Sequence, residues 1–119
     1  MRVIIQLVKE SSVKVDNDVK GKIGYGFLVL LGVTHGDQES DVEWVFDKLV
    51  KLRVFMDDNG KMNKSLLESR GAVLLVSQFT LFASIKKGNR PSFVNAAAPD
   101  KAKKLYDYAI GYLKNKYEI

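Results

Sequence analysis

The chain has 119 residues, 46% of them hydrophobic and 28% charged, with a formal net charge of +5. That balance suits one soluble globular domain with a buried core and excludes two domains. With no cysteine and a single histidine, disulfide frameworks, thiolate nucleophiles and Cys- or His-rich metal sites are excluded. The uncharged run over residues 23–36 is interrupted by glycine and too short to cross a bilayer, and Met1-Arg2-Val3-Ile4 opens directly into a strand pattern; the expected setting is cytoplasmic.

The charge is segregated. Residues 1–83 hold 11 Lys/Arg against 11 Asp/Glu, whereas residues 84–119 hold 8 against 3, so the whole excess is C-terminal. A segregated basic segment is what a phosphate-bearing partner requires, because Lys and Arg gain affinity by displacing counterions from a polyanion. The alternative is a solvated basic helix face.

Residues 2–9 place Val3, Ile5 and Leu7 on one face and Ile4 and Val8 on the other, which predicts a strand covered on both sides. Residues 12–15 alternate like a half-wet strand, and Asp16-Asn17-Asp18 turns the chain into a further strand over residues 19–23. The continuous apolar run Phe27-Leu28-Val29-Leu30-Leu31-Gly32-Val33 reads as a buried central strand. Ser40-x-x-Glu43 has the form of a capping box, and Val42, Val45, Phe46 and Leu49 supply a helical stripe, so a helix is expected to about Leu52. Asp57-Asp58-Asn59-Gly60 is a turn, followed by a polar loop over residues 61–65. Residues 72–79 form another inner strand running into Thr80-Leu81, and Pro99-Asp100 opens a last helix with Ala102, Leu105, Ala109, Tyr112 and Leu113 inward. There is no repeat or low-complexity segment, so residues 1–119 are expected to form a single domain.

Little conventional catalytic apparatus remains. His35 and Asp37 have no nucleophile elbow to serve, so His35 is expected as a solvated turn residue. Asp57 and Asp58 read as turn formers rather than a metal pair, and Gly21, Gly24 and Gly26 make no nucleotide fingerprint. The distinctive segment is Ser77-Gln78-Phe79-Thr80-Leu81 at the end of an apolar strand, followed after a basic loop by Arg90-Pro91-Ser92-Phe93. Hydroxyls, an amide and backbone N–H groups at a sheet edge are suited to holding a ligand oxygen, although such residues also serve as structural caps, and Phe79 and Phe93 would be core by default.

These residues resemble the D-aminoacyl-tRNA deacylases, also called D-tyrosyl-tRNA deacylases. The likeness begins at Val3-Ile4-Ile5-Gln6, runs through Gly24-Tyr25-Gly26-Phe27-Leu28-Val29-Leu30-Leu31-Gly32-Val33, Gly60-Lys61-Met62-Asn63 and Ser77-Gln78-Phe79-Thr80-Leu81, and reaches Arg90-Pro91-Ser92-Phe93, Ala97, Pro99 and Leu105-Tyr106. It implies an α/β (α+β) fold with mixed, barrel-like β-sheet layers flanked by two helices. It further implies a homodimer without metal or cofactor, hydrolysing the ester between a D-amino acid, or glycine, and the terminal adenosine of tRNA. By the same resemblance Gln78 and Thr80 are the catalytic positions, Ser77, Phe79, Met62 and Ala97 bind substrate, and Lys86, Lys87 and Arg90 meet the acceptor-end phosphates. Arg90 is equally readable as a structural ion-pair residue, and Thr80 as either a nucleophile or a pocket residue.

The family's activated ester needs positioning and an oxyanion site more than a strong base, so backbone N–H groups and the 2′-hydroxyl of the RNA are the expected agents. Two departures from the family pattern stand out. Leu7 occupies a place where arginine is usual, and the family's C-terminal strands are absent, including the Asn-x-Gly-Pro-x-Thr segment whose Gly-Pro enters the neighbouring subunit's pocket and excludes L-amino acids. The expectation from these departures is a chain shortened relative to its family; the competing functional reading is a non-catalytic tRNA-binding or dimerisation module on a degenerate deacylase fold.

Overall fold

The computed structural model describes all residues, Met1–Ile119. Strands β1 (Arg2–Val8), β2 (Ser11–Val15), β3 (Asp18–Ile23) and β4 (Gly26–Gly32) are followed by helix α1 (Glu39–Lys51). The short strands β5 (Phe55–Met56) and β6 (Met62–Lys64) lead into the one-turn helix α2 (Leu66–Ser69), strand β7 (Ala72–Ser77), a 3₁₀ turn at Phe79–Phe82 and helix α3 (Pro99–Tyr117). The main sheet has the order β1-β4-β7, antiparallel between β1 and β4 and parallel between β4 and β7. Two hairpins, β2-β3 and β5-β6, form separate two-stranded sheets.

The apolar run of β4 puts Phe27, Val29 and Leu31 on one face, where all three are buried against Val42, Phe46, Leu49 and Val50 of α1 and Leu105, Ala109 and Leu113 of α3. One contiguous core results, with both long helices on that side of the sheet. On the other side the β2-β3 hairpin folds against β7: a Cβ on Gly21 would lie 2.7 Å from the Leu74 side chain. The hairpin turn places Asp16 and Asn17 at φ 51° and 68°, the left-handed pair that matches strand twist.

Several local expectations are corrected. Strand β1 is not covered on both sides, since Ile4 is 51% exposed and Leu7, opposite Phe27 in the ladder, is also exposed. Strand β7 is an edge strand, paired only to β4, and ends at Ser77; Phe79–Phe82 is not strand but a 3₁₀ turn. Helix α1 begins two residues earlier than Ser40 implies. Its N-cap is Gln38, whose N–H donates to the Asp41 carboxylate at 2.8 Å, so Ser40 falls inside the first turn. The capping box of Ser-x-x-Glu form is instead Ser65-Leu66-Leu67-Glu68 at α2: Glu68 N–H donates to Ser65 Oγ at 3.2 Å and Ser65 N–H to Glu68 Oε1 at 3.1 Å. The stretch read as a polar loop contains β6, because the Asp57 turn returns the chain alongside Phe55 and Met56.

Candidate active site

Strand alternation puts Val73, Leu75 and Ser77 of β7 on the helix-facing side, so the polar residue that ends the strand faces α3. There an open, largely apolar cavity of about 560 Å³ lies between the strand end, the 3₁₀ turn, the segment 93–98 and the start of α3. Its walls are Ser77, Phe79, Phe93, Ala96, Ala97, Ala98, Pro99, Ala102, Lys103 and Tyr106. Pro99 at the first helical position fixes the start of α3, and its face 99, 102, 103 and 106 at helical spacing forms one wall. The Tyr106 hydroxyl donates to the Leu75 carbonyl at 2.8 Å, tying that wall to β7.

The 3₁₀ turn is fastened from two directions. Gln78 N–H donates to the Leu31 carbonyl at 2.8 Å, and Arg2 Nη1 donates to the Leu81 carbonyl at 2.8 Å while its guanidinium lies 4.5 Å from the centre of the Phe82 ring. Within the turn, Leu81 N–H donates to the Gln78 carbonyl and Ala83 N–H to the Thr80 carbonyl. The preceding N–H groups, those of Phe79 and Thr80, make no hydrogen bond within the chain, as the first donors of a helical turn do not. Gln78 Nε2 donates to Thr80 Oγ1, leaving the Thr80 hydroxyl proton free for another partner.

Of the residues proposed from sequence, Ser77, Phe79 and Ala97 line the cavity, and Gln78 and Thr80 flank Phe79 in the turn beside it. Met62 is not brought to it; it lies in the β5-β6 hairpin, paired with Met56 and exposed. Lys86, Lys87 and Arg90 lie on an exposed loop whose ends are joined by the Ser84–Ser92 bridge, immediately before Phe93. None of the three is in an ion pair, which removes the structural reading of Arg90 within the chain.

Phe79 and Phe93 are not core residues: they are 55% and 39% exposed and meet edge to face with centroids 5.1 Å apart. Phe93, Ala96, Lys103 and Tyr106 are wall residues that sequence reasoning did not assign to the site. The α3 pair could have been found from helical spacing relative to Pro99, whereas the two loop residues carry no periodic signal. The only titratable groups on the wall are Lys103 and Tyr106. The hydrogen bond and charge of Asp107, 2.6 Å from Lys103 Nζ, raise the lysine above its ordinary value, so it is a cation and not a base at neutral pH.

His35 does not join a catalytic array. Its Nε2 donates to the Val94 carbonyl at 2.6 Å, while Asp37 accepts from Thr34 N–H at 2.8 Å and from the Met1 ammonium. The cavity therefore offers apolar walls and hydroxyls with no general base, and the turn beside it carries unbonded backbone donors. Such a site can orient an activated acyl group and stabilise a developing oxyanion.

The family model described as D-Tyr-tRNA(Tyr) deacylase matches residues 4–119. The D-aminoacyl-tRNA deacylase of Petrotoga mobilis is 49% identical over 119 residues, covering all of this chain and 79% of that protein. The D-aminoacyl-tRNA deacylase of Cytophaga hutchinsonii is 54% identical over 110 residues, covering 92% of this chain and 73% of that protein. Among solved structures, a c-Myc DNA unwinding element binding protein superposes with a TM-score of 0.91 at 36% identity, covering 98% of this chain and 78% of that one. A probable eukaryotic D-amino acid tRNA deacylase superposes at 0.83 over 98% of this chain and 68% of its own, at 19% identity, a likeness of fold. With nearly its whole length matched by the family model and by relatives at about half identity, this chain belongs to the D-Tyr-tRNA(Tyr) deacylase family.

Proposed function

We propose that this protein is a D-aminoacyl-tRNA deacylase, hydrolysing the ester that joins a D-amino acid, and also glycine, to the terminal adenosine of tRNA. The observation that carries the mechanism is the pair of unbonded N–H groups of Phe79 and Thr80 beside an apolar cavity without a base. In this reading the ester carbonyl oxygen lies against those donors. Water adds to the carbonyl carbon, negative charge develops on the oxygen facing the turn, and the ribose oxygen leaves with a proton; the neighbouring ribose hydroxyl assists the transfer. Each such donor is worth roughly a hundredfold or more in rate, so two of them serve without a triad.

Gln78 and Thr80 are the side chains that complete this end of the site, the amide orienting the hydroxyl through their hydrogen bond. Thr80 acts here as a pocket residue, because no base stands ready to take its proton and an unassisted hydroxyl is a poor nucleophile. Ser77, Phe79 and Ala97 contact the aminoacyl end, and Lys86, Lys87 and Arg90 meet acceptor-end phosphates just outside it. The protein works as a homodimer in the cytoplasm, and Met62, remote from the cavity of its own chain, would serve a substrate from another surface.

The test is hydrolysis of D-tyrosyl-tRNA beside L-tyrosyl-tRNA and glycyl-tRNA by the wild-type protein and by Thr80→Val, which removes the hydroxyl but keeps the backbone donor. The expected result is turnover of the D-tyrosyl and glycyl esters and, in the variant, a rate reduced about tenfold rather than abolished. A folded wild-type protein that binds tRNA without releasing D-tyrosine would overturn the reading in favour of a non-catalytic module. Complete loss in Thr80→Val would make the hydroxyl the nucleophile.

A further inference from the structure

The cavity wall formed by segment 93–98 has no helix or ladder of its own. It contains a turn closed by Ala96 N–H donating to the Phe93 carbonyl at 3.0 Å, and although Ala97 at its end is buried in the core, Val94 at the apex is 72% exposed, so packing contributes little to the position of that apex. Its place is set by the residues that follow β4. The Val33 carbonyl accepts from Ala97 N–H at 2.9 Å, Thr34 pairs with Ala96 as an antiparallel bridge, Thr34 Oγ1 donates to the Asn95 carbonyl, and His35 Nε2 donates to the Val94 carbonyl at 2.6 Å. Two successive carbonyls of the wall are thus held by side chains from one turn. That turn is itself closed by Asp37, which accepts from Thr34 N–H.

We propose that Thr34 and His35 are positioning residues of the deacylase site, a clasp that holds Phe93, Ala96 and Ala97 at the distance at which Phe93 closes on Phe79. The assignment rests on the deacylase reading of the cavity and gives these residues no contact with substrate. Exposed polar contacts of this kind contribute little to global stability, but a loosened wall grips the aminoacyl end less well in the ground state and the transition state alike. The geometry further specifies which replacements suffice: a serine hydroxyl at position 34 and a glutamine amide at position 35 can still donate to the same carbonyls, whereas valine and leucine cannot.

The experiment compares Thr34→Val and His35→Leu with Thr34→Ser and His35→Gln, using steady-state hydrolysis of D-tyrosyl-tRNA and amide hydrogen exchange of the protein alone. With circular dichroism and melting confirming that each variant is folded, the valine and leucine variants are expected to raise KM roughly fivefold each, the effect of losing one net hydrogen bond, with kcat within about twofold. Exchange at Ala96 and Ala97 should quicken in both, and the serine and glutamine variants should restore both readouts.

Unchanged KM in the valine and leucine variants, with or without faster exchange, overturns the proposal. So does a fall in kcat at constant KM, which would place these side chains in the chemical step. Absence of turnover by the wild-type protein defeats the deacylase reading and the role assigned here together, and the exchange rates then report separately whether the clasp exists.

Discussion

Gly32, the last residue of β4, has no side chain because the 3₁₀ turn lies on top of it. A Cβ at that position would stand 2.9 Å from Leu81 Cβ and 3.2 Å from two ring carbons of Phe82. Leu81 Cβ is fixed directly to the backbone, so the contact can be relieved only by moving the turn that presents the Phe79 and Thr80 N–H groups. Gly32→Ala is therefore expected to lower kcat about tenfold or more, with a stability loss on the order of 1–3 kcal/mol from overpacking. Turnover of D-tyrosyl-tRNA alongside chemical denaturation checks this, and a destabilised variant with normal kcat would separate the turn from the chemistry. The same residue shows what sequence could and could not convey. The glycine was visible within an apolar run, but the partner that approaches it comes from residues 81 and 82, some fifty positions away.

Legibility differed by element for physical reasons. Strand β4 and the inward stripes of α1 and α3 were readable because burial imposes a period on the sequence. Strand β7 was readable in its apolar body but not at its end, because Phe79 and Leu81 continue a strand-like composition that the backbone abandons once Gln78 bonds to Leu31. The two Ser-x-x-Glu motifs were indistinguishable locally. At α1 the first turn is instead bonded by Asp41, and Glu43 accepts from the Tyr108 hydroxyl of α3 at 2.8 Å, which holds that hydroxyl protonated up to about 12.

The seam between the long helices makes a further prediction. Asp47 accepts from the hydroxyls of Tyr117 and Tyr112 and from Lys116 Nζ. The Tyr117 hydrogen bond above all, then those of Tyr112 and Lys116, hold the carboxyl below its ordinary 3.8 against the opposing effect of burial. A depressed carboxyl favours the folded state at pH values above 3.8, and that contribution is lost as pH falls through the lower folded value. Asp47→Asn should accordingly cost about 1 kcal/mol at pH 7, a modest figure because the side chain is about one-third exposed. The gap between wild type and variant should narrow as denaturation is measured at progressively lower pH below 3.8; a gap independent of pH would remove charge from the explanation.

At the scale of the whole molecule the C-terminal excess of charge resolves into two groups. Of its eight basic residues, Lys103 and Lys116 are paired with Asp107 and Asp47, which leaves Lys86, Lys87 and Arg90 on the loop before Phe93 and Lys101, Lys104 and Lys114 on α3 outside any ion pair. Both groups could draw tRNA by their field, but only the loop adjoins the cavity through its own chain. Because each phosphate neutralised releases condensed counterions, replacing Lys86, Lys87 and Arg90 together by alanine should flatten the slope of log affinity against log salt by roughly 2 to 3. The corresponding triple replacement on α3 should weaken binding at low salt through the general field alone, with little change of slope. Titration of uncharged-end tRNA over a range of salt, with D-tyrosyl-tRNA turnover measured at saturation, separates the two. Reduced affinity with near-normal kcat in the loop variant fits a surface that delivers the acceptor end to the Phe79–Thr80 turn. If the slope changes only in the α3 variant, the phosphates run along the helix, and the acceptor end must enter the cavity past Lys103 rather than past Phe93.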